Sequence, residues 1–192
     1  MLKQLVPVVS CLLALLSACE PNVSESLEAV VPQESPGISL GGEKKDPTES
    51  PTETDTTIRL ALDAVNTLRQ AGCHCGTDPY PASGNLTWNT QLYEAALAHA
   101  KDMHVHNYFS HTSPSGENIY HRLVASGYIS AAGDVLTYGE NIAFGDFDVE
   151  AAVQKWLGSP SHCANMMRDT YQEMAIAHDG NYWVQLFGAK RK

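Results

Sequence analysis

From residue 58 onward the hydrophobic positions fall into two periodicities. Ile58, Leu62, Val65 and Leu68 recur at helical spacing, Thr56 or Thr57 can cap them and Gly72 can stop them, which predicts a first helix from about Ile58 to Ala71. The next stretch, Cys73-His74-Cys75-Gly76 and Asp78-Pro79-Tyr80-Pro81, reads as a loop because its prolines and glycines oppose a regular element, with Leu86 and Trp88 dropping from it into the core. Asn89 caps a second helix with Leu92, Ala96, His99, Met103 and His106 along one face. A short third helix spans Glu117 to Ser126, closed by Gly127, with Ile119, Leu123 and Val124 inward. Asp148 caps a fourth with Val149, Val153, Trp156 and Leu157 on one side and Gly158 at its end, and Pro160 opens a fifth that runs through Met167.

A period of two appears in three places. Tyr138-Gly139-Glu140-Asn141-Ile142-Ala143-Phe144-Gly145 alternates a carboxylate-bearing face with an apolar one, as a half-buried strand does. Tyr171 to His178 and Asn181 to Phe187 flank Asp179-Gly180, a strong hairpin signal. Helices plus this small antiparallel sheet make an α+β fold, in which the helices cover the sheet.

The first 55 residues belong to neither pattern. Lys3 precedes an apolar run from Leu5 to Leu16 that is short for a bilayer span of about 20 residues, and Ser17-Ala18 supply the small residues of a cleavage point, so 1–18 reads as an export signal. Leu16-Ser17-Ala18-Cys19 also resembles the lipobox of bacterial lipoproteins, which implies lipidation at Cys19 and a membrane as partner, held by acyl chains. Residues 19–55 are rich in Pro, Ser, Glu and Thr and cannot bury enough apolar area to offset ordering, so they read as a flexible tether before a domain at 56–192. The net charge of −10 and pI near 5.1 exclude a nucleic-acid surface, and the basic Lys190-Arg191-Lys192 is a terminal tail.

Candidate chemistry gathers around the strand. Glu140 sits between glycines that permit close backbone approach, and it is bracketed in sequence by Phe109-Ser110-His111 and Ser161-His162-Cys163. A carboxylate and two imidazoles brought together suit a divalent metal or proton transfer, and equally a buried hydrogen-bonded cluster that fixes loops. His99, on an apolar helical stripe, reads as a satisfied core residue, and His104 and His106 point in different directions and make a poor chelate. Arg122 is a cation for a loop carboxylate. Ser110 and Ser161 each precede a histidine, but neighbours in sequence rarely present nucleophile and base to each other, and no Gly-x-Ser-x-Gly turn is present.

These elements in order resemble the CAP superfamily, also called SCP or PR-1-like, in its bacterial branch. The residues that carry the likeness are Ala95-Ala96 and His99 to Met103, Phe109-Ser110-His111-Thr112, Gly139-Glu140-Asn141-Ile142-Ala143, Trp156 with Ser159-Pro160-Ser161-His162-Cys163-Ala164-Asn165-Met166, and Tyr182-Trp183-Val184-Gln185-Leu186-Phe187-Gly188. The resemblance implies an α-β-α sandwich and a cavity with two histidines and two glutamates that in some members binds zinc or another divalent ion. His111, Glu140 and His162 match three of those positions; the second glutamate falls at Ser159, so a fourth group, water or Glu117 would have to complete a metal shell.

Cys163 must find its partner across the fold, since Cys73 and Cys75 are too close for an ordinary bridge. The resemblance favours Cys75 with Cys163, because similar bacterial members carry a Cys-Gly in the loop and a His-Cys in the later helix; a Cys73-His74-Cys75 zinc site is the competing idea. The functional expectation is an exported, lipid-anchored module of the bacterial cell envelope that binds an envelope ligand. A metal-dependent hydrolase using His111, Glu140 and His162 is the alternative. Sterol or lipid binding, suggested only by the resemblance, has no dedicated apolar motif here.

Overall fold

The computed structural model describes residues 53–131 and 133–191, with the side chains of 53–55 left aside. The expected export signal, Cys19 and nearly all of the tether lie outside the described residues. The elements in chain order are α1 (Glu53–Ala71), β1 (Cys73–Cys75), β2 (Asp78–Tyr80), β3 (Thr87–Trp88), α2 (Thr90–His106), α3 (Ile119–Ala125), β4 (Val135–Phe144), α4 (Val149–Leu157), α5 (Pro160–Met167), β5 (Glu173–Asp179) and β6 (Tyr182–Lys190). No described helix is long and apolar enough to cross a membrane.

The main sheet has the order β3-β5-β6-β4. β5 and β6 form the expected hairpin, with Gly180 at φ +53°, a left-handed value that glycine adopts without steric cost. β4 pairs antiparallel with β6 and lies at an edge, while the two-residue β3 pairs parallel with β5, so the sheet is not purely antiparallel. Alternate residues explain the continuous apolar runs in β5 and β6: both faces are covered. Ala175, Ala177, Tyr182, Val184 and Leu186 pack with Leu92, Ala96 and Met103 of α2 and Leu123 of α3. Met174, Ile176, Trp183 and Phe187 pack with Ala61 and Val65 of α1, Val153 and Trp156 of α4 and Met166 of α5. The result is the three-layer α-β-α sandwich.

Several local expectations hold. Asn89 Oδ1 accepts from the Leu92 amide, Asp148 caps α4, Pro160 occupies the first turn of α5, and Leu86 is buried. Others change. α1 starts at Glu53, so Thr56 and Thr57 lie inside it; a capping residue marks where a helix can start, and nothing between Pro51 and Thr56 interrupts an earlier start. The stretch after α1 is a small hairpin, β1 with β2, because Pro79 sits on an edge strand where its missing N–H removes no ladder bond. α3 is capped by Asn118 and buries Arg122 and Leu123, while Val124 faces solvent. His106 is exposed and its Nδ1 lies 2.9 Å from Asp102 on the preceding turn.

A disulfide joins Cys75 to Cys163, with Cα atoms 5.4 Å apart, and ties β1 to α5. The pairing expected from the family resemblance is the one present.

Candidate functional site

β4 runs along the sheet edge and, past a bulge between Val135 and Thr137, turns its even-numbered residues toward α2 and α3 and its odd-numbered ones toward α4 and α5. Glu140 therefore enters the α2–α3 layer, and its side chain is only 4% exposed. Both carboxylate oxygens are held there. Arg122 Nη2 donates to Oε2 at 2.8 Å, and His111 Nδ1 lies 2.7 Å from Oε1. Burial pushes the Glu140 carboxyl upward, but the His111 hydrogen bond and the Arg122 charge outweigh it, and the group ends below the usual carboxylate range. Glu140 is thus ionised, accepts from both neighbours and fixes the proton of His111 on Nδ1, leaving Nε2 to face outward.

Arg122 is itself buried and does more than neutralise the acid. Its guanidinium also donates to the carbonyls of His111 (3.0 Å) and Glu117 (3.3 Å), so one side chain pins the middle and the far end of the loop between α2 and α3. The turn inside that loop closes through Ser113, whose Oγ accepts from the Glu117 amide at 2.9 Å and whose carbonyl accepts from Gly116. The expected partner for Arg122, a loop carboxylate, is instead the strand acid.

His99 is the residue that the sequence reading missed. It is fully buried on α2 with Nε2 3.9 Å from Glu140 Oε1, too long for a hydrogen bond, and the Ser110 backbone also lies against the ring. Desolvation drives its pKa down to about 4, against the opposing charge of Glu140 and with help from Arg122. It is a neutral imidazole in the core, as expected, and it stands directly behind the acid. Its spacing from Glu140 in sequence carries no signal; only the packing of α2 on the sheet reveals it.

His162 comes from the other side of the strand. Asn141 is buried on the odd face of β4, and its Nδ2 donates to the His162 carbonyl at 3.2 Å and to Gln185 Oε1 at 3.0 Å. Asn165, one turn past His162, donates to the Glu140 carbonyl at 3.1 Å and to Asn141 Oδ1 at 3.0 Å, and accepts from the Tyr171 hydroxyl at 2.9 Å. This buried amide network docks α5 on the strand edge. His162 is half-buried, and its pKa is lowered by desolvation and then by the charge of His111, so the two imidazoles lie within electrostatic reach.

A groove of about 360 Å³ opens on this edge, lined by His111, Thr112, Asn118, Tyr120, Tyr138 and Glu140 among others. Tyr120 and Tyr138 are exposed on it. Ser159, where the resemblance expects a second glutamate, stands at the N-cap of α5 with no side-chain hydrogen bond to the helix backbone, and Glu117 lines a different groove with Glu94 and His121. His111, Glu140 and His162 do not draw their ligand atoms within 4.8 Å of one another; among the described residues the set that does is Cys73, Cys75 and Cys163. Ser110 Oγ accepts from the Thr112 amide and Ser161 Oγ lies 3.4 Å from Ser159 Oγ, so the hydrogen bonds of these serines do not form a Ser-His pair.

The family model of the cysteine-rich secretory proteins, CAP, matches residues 62–187. The chain is a CAP-domain protein. Over 102 residues it is 34% identical to the uncharacterized membrane protein YlbC of Bacillus subtilis (strain 168), covering 53% of this chain and 28% of that one. It is 30% identical over 101 residues to YkwD of the same organism, covering 52% and 37%. This CAP chain therefore spans well under half of the relatives it matches. Among solved structures, an extracellular SCP-domain protein of Bacillus anthracis str. Ames superposes with a TM-score of 0.59 at 26% identity, over 74% of this chain and 45% of that one. An outer surface protein of Borrelia burgdorferi gives 0.55 at 18%, over 73% and 97%, which shows the shared CAP fold alone.

Proposed function

We propose that this CAP domain is an extracytoplasmic binding module, tethered to a membrane through a lipidated Cys19, whose groove at Glu140 receives a polar envelope ligand. One observation carries the reading: both oxygens of Glu140 are already engaged by Arg122 and His111 inside the protein, so the acid acts as a fixed anchor that presents the His111 ring to the groove. Tyr120 and Tyr138 add exposed aromatic faces suited to flat or ring-shaped ligand groups. The extracellular relative in Bacillus anthracis and the membrane protein YlbC support the location.

A divalent metal fits in part. Glu140 on Nδ1 of His111 is the carboxylate–histidine arrangement that orients an imidazole toward an ion, and His111 with His162 would hold it, water completing the shell. Such an ion would supply Lewis-acid polarisation of a ligand carbonyl. Here the chain's own contribution is orientation: Glu140 holds the His111 ring through Nδ1, Asn141 holds the carbonyl of His162, and Asn165 holds Asn141. The metal-dependent hydrolase remains the second reading on this ground.

The test is retention of solubilised envelope glycan and peptide fragments by wild type, Tyr138→Ala and His111→Ala, with zinc calorimetry run in parallel. Tenfold weaker retention by both variants is expected; equal retention by all three removes the groove from the function. Zinc-dependent cleavage of the fragments, lost in His111→Ala, would establish the hydrolase instead. For the anchor, Cys19→Ala is expected to move the protein from the membrane to the soluble fraction, and unchanged membrane retention refutes lipidation.

A further inference from the structure

The Cys75–Cys163 disulfide has a third sulfur beside it. Cys73 and Cys75 alternate with the exposed His74 on β1, so both point to the same side, toward Cys163 on α5. Cys73 Sγ lies 3.7 Å from Cys163 Sγ, and the three sulfurs all lie within 4.8 Å of one another. All three are buried, at 7%, 3% and 0% exposure, in a small cluster with Met167 that is separate from the Glu140 groove.

The shape of this triangle decides between two uses of the third sulfur. In thiol–disulfide exchange the attacking sulfur lies on the extension of the S–S bond, which would set the sulfurs of Cys73 and Cys75 about 5.7 Å apart given an ordinary S–S bond of about 2.05 Å. They are closer than that. A metal held by thiolates at about 2.3 Å instead requires sulfurs about 3.8–4.0 Å apart, and the Cys73–Cys163 distance is already near that value.

We propose that, in the reduced protein, Cys73, Cys75 and Cys163 form a buried three-thiolate site for copper(I). A dithiol reduces the bridge: two electrons pass to the Cys75–Cys163 bond, the dithiol becomes a cyclic disulfide, and Cys75 and Cys163 leave as thiols. Each thiol that then binds the ion releases its proton to solvent. Only Cys75 and Cys163 have to move, from a bonded distance to the spacing that Cys73 and Cys163 already show. Among the described residues no fourth His, Asp, Glu or Cys donor joins the set, and all three cysteines are buried. Three soft ligands in an apolar pocket suit a low-coordinate thiophilic ion better than zinc, which takes a fourth ligand. His74 points away, which removes it from this set and from the zinc site considered from sequence.

The experiment uses the full chain, reduced anaerobically with dithiothreitol and desalted, titrated with copper(I) against the colorimetric chelator bicinchoninate. One equivalent is expected to be taken up with ultraviolet thiolate-to-copper charge transfer, at least tenfold more tightly than by the oxidised protein or by reduced Cys73→Ser, whose own bridge forms as in wild type when oxidised. Circular dichroism follows the fold: if reduction loosens the domain, copper(I) is expected to restore the native spectrum. Equal uptake by wild type and Cys73→Ser, failure of copper(I) to bind or to restore a loosened fold, or uptake of zinc in preference to copper(I), overturns the proposal.

Discussion

Glu140 shows how a single side chain acquires its properties from neighbours that are remote in sequence. Paired with Arg122 it is ionised despite burial, and desolvation keeps His99, fully buried behind it, neutral although the Glu140 charge pulls the other way. The His99 pKa in the fold, about 4, lies below the ordinary value of 6.5, so the unfolded chain binds a proton that the native one refuses as pH drops through 6.5 toward 4. Native stability is complete above that window and falls within it, by up to about 2–3 kcal/mol. His162, also lowered, adds to the same slope, while Glu140 takes effect only below the ordinary carboxylate pKa. Urea unfolding from pH 7 to 4.5 should therefore show a steeper loss in wild type than in His99→Leu; parallel curves would mean that His99 is not neutral in the fold. The sequence marked His111, Glu140 and His162 as chemistry, because loop histidines and a glycine-flanked acid stand out locally. It marked Arg122 only as a cation for a loop carboxylate and His99 only as a core residue, since burial and the packing of helices on a sheet leave no local trace.

At the scale of elements, β4 is the piece on which the site is assembled, and its glycine is what lets α5 come near. A Cβ on Gly139 would lie 2.1 Å from the Tyr171 hydroxyl and 2.8 Å from Asn165 Oδ1, in the middle of the amide network that seats His162. Gly139→Ala is expected to destabilise by about 2–3 kcal/mol, as overpacking of a close-packed contact does, with Tyr171→Phe in the same chain restoring part of the loss. Thermal unfolding of the single and double variants checks this; a neutral Gly139→Ala would show that the strand and α5 are not in tight contact. Caps, helix faces and the β5–β6 hairpin were readable in advance because each depends on residues a few positions apart. The β1–β2 hairpin and the parallel β3 were not, since such short strands exist only by virtue of the partner they pair with.

Across the whole molecule, the Cys75–Cys163 bridge closes a separation of 88 residues and links the hairpin after α1 to the helix that carries His162. In the chain-entropy model a loop of that size contributes about 3–5 kcal/mol, so Cys163→Ser, which leaves neither Cys75 nor Cys73 a partner on α5, should lower the denaturation midpoint strongly and broaden protease access to α5. A small shift would mean that the two cores on either side of the sheet hold α5 without help. Those cores are continuous with the sheet faces, Trp156, Met166 and Phe187 on one side and Leu92, Met103 and Leu186 on the other.

What the linear chain determined by itself was the five helices, the strand that bears Glu140, the β5–β6 hairpin and the α+β class, because periodicity, caps and turns act over a few residues. What the tertiary structure alone decided was which of those polar groups meet: Arg122 and His111 closing on the two oxygens of Glu140, His99 left neutral behind it, and three cysteine sulfurs gathered into one triangle. Such meetings depend on how layers stack and on what burial does to charge, and both are properties of distance in space that spacing along a chain does not encode.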